Sequence, residues 1–171
     1  LIAAYGPPAV RGSGLPEMNS YLGCGIPKSI DMLEPKAWIF KSAAMVLVVM
    51  SGVVVGREGP AIVIGGGTAY CIGRTLWPYF TSLVHKFPFL LYGVNKMGCG
   101  DFTKAFSGEY MHEVVHIGSA VGFACAFNAP IGGMLFIYEE LSVHWDVKRQ
   151  HEMGSRILCG CGLAVLIVQA L

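Results

Sequence analysis

The sequence predicts an all-α, polytopic membrane protein built from broken helices. Three observations carry that expectation. Of 171 residues, 54% are hydrophobic and only 13% are charged, against roughly 25% charged in ordinary soluble domains. Apolar runs approach the ~20 residues that a membrane helix needs. Those runs are punctuated by Gly and Pro, with 23 glycines and 9 prolines in the chain. Mean hydropathy is +0.57. This composition excludes a disordered chain and most soluble enzymes of this size. A net charge of +1 leaves no basic face for nucleic acid.

The elements follow in order. Ala37 to Val55 reads as the clearest span, with Lys41 placed to snorkel to the interface. Ala61 to Trp77 is a second apolar segment, interrupted by Gly65, Gly66 and Gly67. From Pro78 to Tyr110 the composition turns mixed and predicts an extramembrane loop. Val114 to Tyr138 is apolar throughout, but Asn128-Ala129-Pro130 should divide it into two helices. Leu141 to Arg156 reads as a polar connection, and its Lys148, Arg149 and Arg156 suggest the cytoplasmic side. Ile157 to Leu171 begins a further span. Both ends of the chain are apolar, so residues 1–171 are expected to be an internal part of a longer membrane domain.

Small residues recur four apart, as in Gly52/Gly56, Gly65/Ala69/Gly73 and Gly118/Gly122, a spacing that lets helix backbones approach closely in lipid. Of the six cysteines, Cys71, Cys125, Cys159 and Cys161 sit in apolar runs and read as buried thiols; Cys24 and Cys99 lie in polar segments. Trp38, Trp77 and Tyr79 read as interfacial anchors.

Three segments share one form, in which small or polar residues precede a Pro and then an apolar helix. They are Gly12-Ser13-Gly14-Leu15-Pro16-Glu17, Gly56-Arg57-Glu58-Gly59-Pro60 and Asn128-Ala129-Pro130-Ile131. Pro suits the first helical position, where its missing donor costs nothing. The backbone donors at a helix start have no partner within the helix, and the dipole adds roughly +0.5 charge there. At the bilayer surface water satisfies such donors. Deep in the membrane they must line a cavity, and the cavity suits an anion. Ser13 can add a hydroxyl donor. Glu58 beside such a start is either a plain cap or a tethered anion that leaves on protonation, and so a gate.

These segments, with Ala126-Phe127-Asn128-Ala129-Pro130-Ile131-Gly132-Gly133 running to Glu139-Glu140, resemble the first half of the CLC family of chloride channels and chloride/proton exchangers. The resemblance covers most of residues 11–146. It implies an inverted-repeat membrane fold working as a homodimer in the lipid bilayer, with residues 1–171 a part of its transmembrane domain. The second half and any cytoplasmic domains would lie elsewhere. It implies an anion site at Ser13 with Gly12, Gly14, Gly56, Arg57 and Gly59, with Ser rather than Pro pointing to chloride. It implies that Glu58 is the gating glutamate. Glu140 matches the internal proton glutamate of the exchangers, a position that is usually apolar in channel members. The implied function is chloride/proton antiport, the alternative a chloride channel of the voltage-gated type. Chloride and protons are then the transported ions, no cofactor is needed, and no catalytic residue is expected.

A rival comes from another class. His112-Glu113-Val114-Val115-His116 matches H-E-x-x-H, so a helix could present both histidines to zinc with Glu113 as general base. That would make the chain a membrane metalloprotease. The longer metzincin continuation fails, because Gly118 and Gly122 fall out of register and no third His follows. Gly65-Gly66-Gly67 lacks the Lys-Ser/Thr and preceding strand of a phosphate loop.

Overall fold

The computed structural model describes residues 6–7, 10–24, 31–86, 108–141 and 147–171. Most of these residues are helical, with no strand among them. In chain order the helices are α1 (Leu15–Cys24), α2 (Pro35–Met50), α3 (Glu58–Lys86), α4 (Gly108–Phe127), α5 (Pro130–Phe136) and α6 (Val147–Ala170). A π-helical turn, Ile137–Leu141, continues α5.

The seam between α3 and α4 organises the rest. Gly65 lies against the backbone of Gly118 and Gly122, Gly118 against Ala69, and Gly122 against Ala61. A Cβ at Gly65 or Gly122 would overlap backbone atoms of the facing helix. Close approach of this kind replaces hydrophobic driving force with dispersion between backbones. The Gly65-Gly66-Gly67 run therefore does not break α3. Gly66 receives Met18 and Ser119, and Gly67 receives the Trp38 ring. Trp38 is thus a packing residue rather than the interfacial anchor expected. Around the seam, Met18, Ile62, Val63, Val115, Ala120, Ala124, Ile137, Met153 and Ile157 form one buried cluster.

Several boundaries depart from the sequence expectation. The span from Ala37 to Val55 is helical only to Met50. Sixteen residues rise only about 24 Å, short of a ~30 Å hydrocarbon core. Ser51 turns the chain and Gly52 adopts φ 73°, a conformation that side chains resist. Val53–Val55 then run non-helical and exposed. The Gly52/Gly56 spacing consequently serves a turn and not a helix contact. α3 runs past Pro78 to Lys86, and α4 begins at Gly108, so both ends of the expected loop are helical. Pro78 removes one intrahelical bond, and the helix continues through it. α6 already includes Lys148, Arg149 and Arg156, which had read as loop, and Arg156 lies 3.6 Å from Glu113 of α4.

The break inside the long apolar run falls where expected. Asn128 takes φ 54° and Pro130 opens α5. Gln169 of α6 donates to the Asn128 side-chain carbonyl at 2.9 Å. Among the described residues, one stretch, Met153–Ala170, is long and apolar enough to cross a membrane; Met111–Phe127 is a shorter apolar one. Of the apolar-run cysteines, Cys161 is buried, Cys71 and Cys125 are half-buried and Cys159 is exposed, so the expectation of four buried thiols holds only in part. Cys99 lies outside the described residues. Tyr79 is 73% exposed, as an anchor facing lipid headgroups would be.

A candidate anion cleft at two helix starts

All three Pro-containing segments open helices. Pro130 occupies the first helical position, whereas Pro16 and Pro60 come second and third, after Leu15 and Glu58–Gly59. The first two starts touch. A Cβ at Gly59 would meet the Ser13 carbonyl oxygen at 2.7 Å and the Ser13 Cβ at 2.9 Å. Only glycine lets the two starts come this close. The second start reaches the third through Arg57, whose guanidinium lies over the Phe127 ring, 5.7 Å from its centroid.

Between the first two starts lies an open cleft of about 260 Å³ lined by Gly12, Ser13, Lys41, Gly56 and Pro60 with apolar neighbours. The Leu15 amide donates to the Ser13 hydroxyl oxygen over 3.4 Å, which leaves the hydroxyl hydrogen able to donate elsewhere. Gly12 and Gly14 both take φ 82°, turning the chain into α1. Ser13 and Gly56 are exposed and line the cleft; Glu58 is exposed and opens α3, but it is not among the lining residues. Arg57 is not among the lining residues; its charge faces Phe127.

Lys41 is the residue that the sequence reading missed. It was expected to snorkel, yet it is only 4% exposed and lines the cleft. Its Nζ would lie 2.7 Å from a Cβ at Gly14. That ammonium has no hydrogen-bond partner among the described residues. The Glu17 carboxylate acts on it through space, and a buried charge that makes no hydrogen bond costs several kcal/mol even after local relaxation. The signal was available: Lys41 follows Ala37 by one helical turn, on the buried face of α2. A cation within an apolar helix is a functional candidate by default.

Glu139 and Glu140 lie in the π-helical turn. Glu140 follows Pro130 by ten residues, roughly 15 Å along the helix axis. Its side chain lies outside the described residues. The H-E-x-x-H side chains are engaged otherwise. His112 stacks on Tyr21 with centroids 4.5 Å apart, His116 Nδ1 lies 2.8 Å from the His112 carbonyl, and Glu113 faces Arg156. Among the described residues no three His, Cys, Asp or Glu groups converge on a point.

The fold thus gathers interrupted helix starts and a buried cation around a small cavity. The family described as voltage gated chloride channel matches residues 1–171, and the chain belongs to it. Channels and exchangers, not enzymes, make up that family, and its members are multi-pass integral membrane proteins. Chloride channel protein D of Dictyostelium discoideum is 36% identical over 150 residues, 86% of this chain and 13% of that protein. H(+)/Cl(-) exchange transporter 7 of Homo sapiens is 33% identical over 149 residues, 85% of this chain and 16% of that protein. Chloride channel protein 1 of Canis lupus familiaris is 30% identical over 141 residues, 82% of this chain and 12% of that protein. The chain therefore spans between 12% and 16% of the length of these relatives. No solved structure matches it.

Proposed function

We propose that this chain supplies part of a chloride pathway in a chloride/proton antiporter, with Glu58 as the gate and Glu140 as the proton carrier. One observation carries the proposal. Two helix starts meet at Ser13 and Gly59, around a cleft lined by a buried ammonium with no hydrogen-bond partner among the described residues.

Chloride in that cleft would accept from the Ser13 hydroxyl and from amides at Gly56–Gly59. The α1 and α3 dipoles each present about half a positive charge there. Lys41 adds a full charge, and the anion relieves the desolvation cost of that charge. Glu58 stands on the first turn of α3. Its carboxylate competes for the same donors while ionised and withdraws once protonated. Proton uptake at Glu58 is thereby linked to anion entry. Glu140, farther along the α5 axis, carries the proton toward the opposite side. The exchanger among the relatives supports antiport. Relatives named as channels support the alternative, in which Glu58 only gates. The whole protein works as a homodimer in the bilayer, with chloride and protons as its only small partners and no cofactor.

The test is paired chloride and proton flux from liposomes holding the full-length protein. Glu58→Ala should preserve chloride flux and abolish coupled proton movement. Proton transport at the wild-type ratio would refute the gate.

A further inference from the structure

We propose that the seating of Tyr138 on Gly154 holds the π-helical turn that carries Glu139 and Glu140. Tyr138 and Gly154 are then positioning residues for proton transfer, an inference that rests on Glu140 being the proton carrier. Ile137, the first residue of the turn, is fully buried and belongs to the same cluster as Met153 and Ile157 of α6. Tyr138, the next residue, reaches α6 at Gly154. A Cβ on Gly154 would overlap the Tyr138 hydroxyl oxygen. The ring carbon bearing that oxygen would stand 3.4 Å from it, and the next ring carbon 3.8 Å, both ordinary contacts. The phenol oxygen is thus the one atom that fills the space a side chain at 154 would take.

The consequence lies in the register of the turn. A π-helical turn holds about one residue more than an α-helical turn, and such turns are rare and concentrate at functional sites. Relaxing it to α-helix rotates every following side chain by about 100° about the axis. Glu139 and Glu140 follow Tyr138 directly and would be re-aimed. An unfavourable local conformation persists only where surrounding contacts over-determine it. Here two consecutive residues supply those contacts, Ile137 in the core and Tyr138 on Gly154. α6 therefore fixes the backbone register of the turn that carries the acidic pair.

Paired chloride and proton flux of the full-length protein in liposomes tests this. Gly154→Ala should lower the proton-to-chloride ratio about tenfold through misplacement of the carboxylate, with chloride flux retained. Adding Tyr138→Phe to that variant removes the overlapping oxygen and should restore the ratio. Tyr138→Leu adds no volume at position 154 and empties the seat, so it should uncouple even if Gly154→Ala fails to fold. A wild-type ratio in Tyr138→Leu, or a double variant no better than Gly154→Ala, would overturn the seat. Glu140→Gln in the same assay separates the two layers. If it uncouples while Tyr138→Leu does not, only the seat falls. If it leaves coupling intact, the proton assignment falls with it.

Discussion

Glycine does opposite work in two regions of this molecule. Along the α3–α4 seam, Gly65, Gly118 and Gly122 bring two backbones together and close off space. At the helix starts, Gly12 and Gly56 line an open cleft and have nothing within 4 Å of where a Cβ would stand. One set excludes ligands and the other leaves amides bare for one. Gly59 belongs to both, since it leaves no room for a side chain and by doing so brings Ser13 to the start of α3. Spacing separates the two uses. The seam glycines repeat within helices, whereas the cleft glycines precede a proline that opens one.

Substitutions can break this comparison or sharpen it, beginning with the largest effect. Gly65→Val places its side chain into the backbone of Gly118 and Gly122, and should cost about 3 kcal/mol or more by overpacking. Size-exclusion chromatography in detergent should show little folded full-length protein. Lys41→Met acts on the cleft instead. It removes a buried charge that makes no hydrogen bond among the described residues, so it should raise the melting temperature in chloride-free buffer. It should also weaken chloride affinity about tenfold, equivalent to 1.4 kcal/mol. Thermal melts with and without chloride measure both, because ligand binding to the native state alone raises its stability. A chloride-dependent shift as large as that of wild type would remove Lys41 from the site.

Asn128→Val probes the third start. A β-branched residue at φ 54° should cost about 1–2 kcal/mol, whereas Asn128→Gly should keep the turn and lose only the Gln169 bond. Equal melting of the two variants would contradict this reading of the break. The smallest effect is expected at Gly162, a helical glycine with nothing within 4 Å of its missing Cβ. Gly162→Ala should gain up to about 1 kcal/mol from helix propensity. It would mark a glycine that belongs to neither region.

The parts legible in the sequence were those encoded locally. Pro130 after Asn128 announced a helix break, because proline's lost donor and fixed φ act within one turn. The Gly-Pro starts at Gly14–Pro16 and Gly56–Pro60 were readable for the same reason. Glycines four apart at Gly118 and Gly122 marked the seam. The illegible parts depended on what lay opposite. Lys41 looked like a surface cation because its burial comes from the packing of α2 against the α1 start. Trp38 looked like an anchor because the glycine that receives it, Gly67, lies on another helix. The continuation of α3 past Pro78 was hidden because proline disfavours helix locally, whereas the helix spans Glu58–Lys86 all the same. The π-helical turn at Ile137–Leu141 gave no local sign, since its cause lies across the chain at Gly154 and in the core.

The cleft stands or falls on where an anion sits. Crystals of the full-length protein grown in bromide, measured at the bromine absorption edge, locate the anion by its anomalous signal. The expected peak lies within hydrogen-bonding reach of the Ser13 hydroxyl and the Gly56–Gly59 amides, with the Lys41 ammonium facing it. Bromide bound elsewhere along the pathway, with this cleft empty at saturating concentration, would contradict it.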